Sequence, residues 1–305
     1  MSEAPILVTG AAGGIQGSTG FHVTRRLREE GHPVRAFVHR LDERSDRVRA
    51  LGAEVVEGDL LDFRSVAAAL DGVRRAYFAY PVQEGLLDAA ATFAAAARSA
   101  GIEQVVNLSQ WLQDGGVQPT PHQVRHWLVE QIFDWADLGA VHLDATVFYE
   151  NLCTWALISL AREGAIALPW GPESTAIPMV AAQDVADVAA AVLMRPVLPN
   201  GTVVRLMAGG ITNKEMADTF SQILGRRVDY VEIDEERWAS ETSALGVNDV
   251  AVEHLTHLWR YLRTLPTEYQ AFFHTTDAFE EFTGRPPQSL AQFLQERKDM
   301  FAGAV

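Results

Sequence analysis

An α/β fold is what this 305-residue chain predicts: a doubly wound parallel sheet, followed by a smaller mixed α/β lobe. Three observations predict it. The β-rich runs of the first half are apolar throughout instead of alternating, which marks strands buried on both faces. Helical patterns separate them one by one, the rhythm of right-handed β–α–β crossovers. A glycine-rich stretch, VTGAAGGIQGSTGF at 8–21, lies between the first apolar run and the first helical pattern. That is where a phosphate-binding loop opens a Rossmann sheet.

The elements follow in order. Residues 6–8 form a first strand, and a helix carrying Phe21, Val23 and Leu27 stops at Gly31. VRAFVHR (34–40) is the second strand, a helical turn covers 45–51, and AEVVEGD (53–59) is the third strand. A helix over 65–72 precedes the fourth strand, RAYFAYP (75–81). A long helix over 86–100, closed by Gly101, leads to the fifth strand, EQVVNLSQ (103–110). A helix over 123–138 then leads to VHLDATVFYEN (141–151), which holds the sixth strand. Beyond residue 150 the pattern loosens into short strands at GAIALPWG, STAIPMV, TVVRLM and RVDYVEI. Helices fall at 183–194, at NKEMADTFSQILG, at 234–243, at 249–263 and at 289–301. The division is a dinucleotide-binding domain over 1–150 and a smaller substrate lobe over 151–305, the two interleaving in space.

Composition narrows the function. Hydrophobic residues make up 48% of the chain and charged residues 21%, an ordinary globular balance. A net charge of −15 argues against a nucleic-acid partner, which needs clustered Lys and Arg. Cys153 is the single cysteine, so no intrachain disulfide and no cysteine-based zinc site can form. The first ten residues lack the basic start and apolar core of a signal peptide. The alanine-rich stretch 89–97 is too short to span a bilayer. A cytoplasmic protein with a small-molecule substrate and no membrane partner is the expectation.

The glycine loop predicts dinucleotide binding, because backbone N–H groups at a helix N-terminus face a pyrophosphate and the helix dipole favours its charge. Two registers are open. Gly10, Gly13 and Gly17 form GxxGxxxG, whereas Gly14, Gly17 and Gly20 form GxxGxxG. A third, TGxxxGxG, would put its last glycine where Gln16 stands. NAD binders place an acid near the end of the second strand for the ribose hydroxyl. Here that end reads Phe37-Val38-His39-Arg40. Arg40, helped by His39 or Arg44, suits a 2′-phosphate instead, so the cofactor predicted is NADP(H). Asp59, after the third strand, either meets the adenine or forms the turn into the next helix.

VTGAAGGIQG, the triplet Gly58-Asp59-Leu60, the HWLVE helix and the FYEN segment together resemble the NmrA-like proteins, atypical members of the short-chain dehydrogenase/reductase superfamily. The likeness runs from about residue 5 to the C-terminus. It includes TGRPPQSLAQFL (283–294), similar to the closing segment of the bacterial quinone- and azo-reductase-like branch. The resemblance implies NADP(H) on Gly10, Gly13, Gly17 and Arg40, with Tyr80 and Pro81 lining the cofactor after the fourth strand. Residues 107–110 match the end of the fifth. The family holds quinone reductases, azoreductase-like enzymes, secondary-metabolite reductases and non-catalytic sensors of nicotinamide redox state.

The chain departs from the superfamily at the proton donor. Carbonyl reductases of this kind use Tyr-x-x-x-Lys, in which lysine lowers the tyrosine pKa. No such pair stands in the expected helix. His122 and His126 do, and in HWLVE His126 takes the place of the lysine that isoflavone-reductase-like relatives keep four residues before a glutamate. His126, oriented by Glu130, either donates to a substrate oxygen or packs as a helix residue. His122, after Pro119 and Pro121, reads as an exposed helix start. Ser109 either holds the substrate oxygen or ends a strand. Tyr149 either touches nicotinamide or substrate or, preferably, forms an aromatic wall. Asp184 reads as a helix cap. Trp111, Phe148, Trp155 and Trp170 offer a flat aromatic pocket. No metal site is expected.

These readings predict an NADP(H)-dependent oxidoreductase that transfers hydride to a planar quinone, enone or related aromatic metabolite. Stacking and distance do most of the work in such a reaction. Two alternatives stay open. One is an NADP(H) sensor that acts on a protein partner without turnover. The other is a non-redox tailoring enzyme with His126 and Glu130 as acid and base.

Overall fold

Ile6, Leu7 and Val8 are all buried, as a strand covered on both faces requires. In a computed structural model, which describes residues 3–14, 17–111 and 118–303, they belong to β1 (Ile6–Thr9). After it come α1 (Thr19–Glu29), β2 (Val34–Val38), α2 (Glu43–Ala50), β3 (Glu54–Glu57) and α3 (Phe63–Ala69). The first half continues with β4 (Arg75–Phe78), α4 (Leu86–Ala100), β5 (Gln104–Gln110), α5 (Pro121–Trp135) and β6 (Val141–Ala145). The second half holds β7 (Val147–Phe148), α6 (Glu150–Glu163), β8 (Ile166–Leu168), β9 (Ala176–Val180), α7 (Ala182–Met194), β10 (Thr202–Leu206) and β11 (Gly209–Thr212). It ends with α8 (Asn213–Leu224), β12 (Tyr230–Glu232), α9 (Glu235–Ala244), α10 (Asp249–Thr264), α11 (Thr267–Gln270), α12 (Ala278–Thr283), α13 (Leu290–Glu296) and α14 (Lys298–Ala302).

Seven strands make one parallel sheet in the order β10-β6-β5-β4-β1-β2-β3. The order reverses between β1 and β4, so the crevice for a ligand opens there, beyond the carboxyl ends of the strands. Thr9 holds this junction. Its hydroxyl donates to the Ala79 carbonyl at 2.9 Å and accepts from the Ala79 N–H at 2.8 Å. One face of the sheet packs on α1, α7 and α12 through Val23, Leu27, Val185, Ala189 and Phe279. The other packs on α3, α4 and α5 through Leu70, Phe93, Val129 and Phe133. The α/β, doubly wound parallel architecture follows from these two cores.

A third core, built from residues 147 onward, unites α6, α8, α10 and α13 around Trp155, Trp170, Phe220, Trp259 and Phe293. Two small sheets frame it: β11-β9-β7, with β9 antiparallel to β11 and parallel to β7, and β12-β8. Two elements from beyond residue 150, α7 and β10, lie instead with the large sheet, β10 pairing with β6 over five residues.

Several elements differ from their sequence reading. Helix α2 starts two residues before the expected 45, because Asp42 accepts from the Arg44 and Ser45 N–H groups and forms a capping box. Thr120 and Gln123 form another box and Pro121 occupies the first turn, so α5 also starts early. The expected strand 141–151 is three things: β6, the short β7 in another sheet, and the first residues of α6. The expected helix 289–301 is broken at Arg297 into α13 and α14. Among the described residues no helix is long and apolar enough to cross a membrane.

Candidate active site

The glycine loop leaves β1 and enters α1 through left-handed backbone at Gly10, Gly13, Gly17 and Ser18. Gln16, the position that the TGxxxGxG register turned on, lies outside the described residues. Two glycines show why the loop tolerates no side chain. At Gly17 (φ 84°) a Cβ would lie 2.9 Å from the Phe148 ring and 3.1 Å from Ala182, so the loop rests on β7 and the start of α7. At Gly20 a Cβ would stand 2.6 Å from the backbone of Thr9 and Gly10. Gly20 is therefore the glycine that lets helix and strand approach closely, which supports the register ending there. The N-terminus of α1 carries no side-chain cap. Ser18 turns its hydroxyl back to the Gly14 carbonyl at 2.8 Å. The first turn of α1 thus has no side-chain cap among the described residues, and the helix dipole there favours an anion.

His39 and Arg40 follow β2, and both are exposed. Neither forms an ion pair among the described residues. Arg44 does not help them: its guanidinium holds Asp42, at 2.7 Å and 3.0 Å, and keeps that carboxyl below its usual range. Arg40 remains as a cation available to a 2′-phosphate. Asp59 is engaged in a turn, accepting from the Leu61 N–H at 2.9 Å. Tyr80, half-buried after β4, donates to the Glu84 carbonyl at 2.9 Å, and Pro81 beside it is exposed at the crevice end of the strand.

Next to this crevice, α5 carries the histidines against β5 and α10. His122 is buried, not exposed as its prolines suggested, because α10 covers it: its ring centroid lies 4.2 Å from His254 and 4.9 Å from His126. His254 also meets the Gln110 amide at 3.2 Å. Burial lowers all three imidazole pKa values, His122 to about 4 and His126 to about 3. All three are neutral at pH 7. Their Nδ1 atoms have no hydrogen-bond partner among the described residues.

Glu130 does not orient His126. It accepts a very short hydrogen bond from the Ser109 hydroxyl and faces Asp144 on β6. Asp144 escaped the sequence reading because VHLDA looks like an interrupted apolar strand. Its detectable signal was a carboxylate inside a strand buried on both faces. Burial pushes its carboxyl up to about 8 and raises that of Glu130 as well.

Tyr149 and Asp184 serve packing. Tyr149 is buried against Phe293, with ring centroids 5.3 Å apart, and burial raises its hydroxyl pKa. Asp184 does not cap α7. It accepts from the Gln288 N–H at 2.6 Å and pairs with Arg285 at 2.9 Å, latching the 285–288 segment. Glu150 takes the Ala182 N–H instead, at 3.1 Å. The four aromatics expected in one pocket separate. Trp155 and Trp170 are core residues packed on Trp238 and Trp259. Phe148 underlies Gly17, and only Trp111, half-buried on Phe273, adjoins the histidines' side of the cleft.

A model of the NmrA-like family matches residues 2–271. The chain belongs to the NmrA-like family. An NAD(P)H azoreductase of Xenophilus azovorans is 27% identical to it over 301 residues, covering 98% of this chain and 100% of the relative. Among solved structures, this NmrA-like chain is similar to the triphenylmethane reductase of Citrobacter sp. complexed with NADP(H). The TM-score is 0.79 at 20% identity, covering 95% of this chain and 99% of that one. It is equally similar to the NADPH-dependent quinone oxidoreductase of Escherichia coli complexed with NADPH, with a TM-score of 0.79 at 19% identity, covering 96% and 99%. These structures share its fold.

Proposed function

We propose that this NmrA-like protein is an NADP(H)-dependent reductase whose acceptor is a planar, electron-poor molecule of quinone, azo or enone type. The observation that carries the reading is the N-terminus of α1 behind the glycine loop, without a side-chain cap, and the exposed Arg40 after β2, without an ion pair, both among the described residues. Gly10, Gly13, Gly14 and Gly17 would shape the pyrophosphate cradle, Arg40 with His39 would hold the 2′-phosphate, and Tyr80 and Pro81 would line the crevice. When bound, the reduced nicotinamide supplies hydride. Ser109 would hold the acceptor's polar atom and Trp111 would give the ring a flat wall. His126 is neutral at pH 7, so its part is a hydrogen bond and not a standing positive charge. The azoreductase relative supports an acceptor of azo type.

A second reading, nucleotide sensing without turnover, is favoured by one observation: no cationic proton donor stands in the α5 cluster. Its partner would be a protein. The cofactor-free acid–base alternative loses its motive, since Glu130 binds Ser109 and not His126. Titration of the protein with NADPH and NADH, read by nicotinamide fluorescence, tests the cofactor assignment. Tight NADPH binding with a clear preference over NADH is expected. Equal or absent binding of both overturns it.

A further inference from the structure

A row of polar side chains lies between the sheet and α5, where an apolar seam would be ordinary. Strand register sets Ser109 of β5 opposite Asp144 of β6, and Asp144 opposite Arg205 of β10. Glu130 descends from α5 onto the first two. The Ser109 hydroxyl donates to its carboxylate, and the Asp144 carboxyl lies within hydrogen-bonding reach of it. Asp144 is 7% exposed, and its Oδ1 has no partner among the described residues. The other charged or titratable groups facing the pair are Asp134 from α5, His142 from β6 and Arg205 from β10. His142 is tied to Asp134 at 3.0 Å and to Asn107 at 3.2 Å, and Arg205 is exposed to water. A buried and a half-buried carboxyl in contact, with one solvated cation nearby, cannot both be ionised cheaply.

We propose that Asp144 and Glu130 hold one proton between them at neutral pH, and that Ser109 passes it to the acceptor atom that hydride transfer leaves negative. The transfer step rests on the reductase reading above. Two states of one hydrogen-bond chain are involved. With the proton on Asp144, Glu130 is an acceptor and the Ser109 hydroxyl points at it. With the proton on Glu130, that carboxyl donates to Ser109 Oγ and the serine hydroxyl turns toward the crevice. Reduction brings two electrons as hydride from the reduced nicotinamide, which is thereby oxidised. The Ser109 O–H bond breaks as an O–H or N–H bond forms on the acceptor. The Glu130 proton replaces the one that serine gave up. Both carboxyls are left ionised, and water returns one proton. Asp144 acts through its neighbours and is a positioning residue.

The first test needs no turnover. In the infrared spectrum of the nucleotide-free protein at pH 7, the difference between wild type and Asp144→Asn should contain the carbonyl stretch of one protonated carboxyl. That band should fade as pH rises through about 8. Its absence overturns the shared proton. In the second test NADPH oxidation is followed with a small quinone. Asp144→Asn should lower kcat on the order of 10- to 100-fold, remove the alkaline limb of the kcat profile and leave KM for NADPH unchanged. Ser109→Ala should lower kcat similarly while keeping the infrared band. An active wild type whose kcat and pH profile survive Asp144→Asn overturns the transfer step alone. A wild type that oxidises no NADPH when acceptors are supplied overturns the reductase reading and the transfer step together.

Discussion

Arg40 is the residue whose loss should separate the two dinucleotides. A guanidinium on a phosphate dianion contributes about 1.5–3 kcal/mol, so Arg40→Ala should weaken NADPH binding about 10- to 100-fold. NADH binding should stay where it was, and an equal loss for both would remove Arg40 from the site. His126 has a different signature. Its folded pKa of about 3 lies below the 6.5 of a solvent-exposed imidazole in the unfolded chain. Between those values the unfolded state binds more protons, so this histidine's contribution to stability is complete above pH 6.5 and is lost as pH falls toward 3. His126→Gln should therefore melt closer to wild type at pH 5 than at pH 7.5, the gap narrowing by about 2–4 °C. A constant gap would mean that the ring protonates within the fold. At this scale the place of Arg40 was legible, exposed after a strand end that lacks an acid, because that is a local fact. The surroundings of His126 were not: it packs on His122, which His254 of α10 covers from more than a hundred residues away, and α10 shows no sign of that contact in its sequence.

Helix α1 and its loop act as one element. Gly20→Ala would drive a methyl group against the Thr9 and Gly10 backbone, which cannot swing aside as a side chain does. The helix must move off β1, at a cost of about 1–3 kcal/mol, and its N-terminus must shift with it. A lowered melting temperature together with weakened nucleotide binding is expected, and unchanged affinity would show that α1 does not form the cradle. Elements with a regular rhythm were readable: the strands from β1 to β5 fall where their apolar runs lie. Helix α6 was missed although Leu152, Trp155, Ala156 and Leu160 recur at helical spacing and Gly164 closes it. The apolar residues running up to Phe148 drew the reading toward a long strand. What ends that strand is a change of sheet, from β5 and β10 around β6 to β9 beside β7, and pairing partners are set by tertiary packing.

For the molecule as a whole, the parallel sheet and its reversal between β1 and β4 place the crevice, and the third core closes one side of it. The doubly wound class was legible from composition and alternation. The sorting of the second half was not, because α7 and β10 return to the large sheet while their neighbours build the third core. We propose that residues 1–150 are the dinucleotide-binding domain and 151–305 the substrate lobe in function, with those two elements as the interleaved exception. Reduction of a planar acceptor is proposed at the seam between them. Its most direct test is the loss of reduced-nicotinamide absorbance when the protein and NADPH meet a panel of quinones and azo compounds. Acceptor-dependent oxidation of NADPH is expected, faster than with NADH and abolished by blocking the glycine loop with Gly17→Leu. Tight NADPH binding with no oxidation by any member of the panel would contradict it and leave the sensor reading in its place.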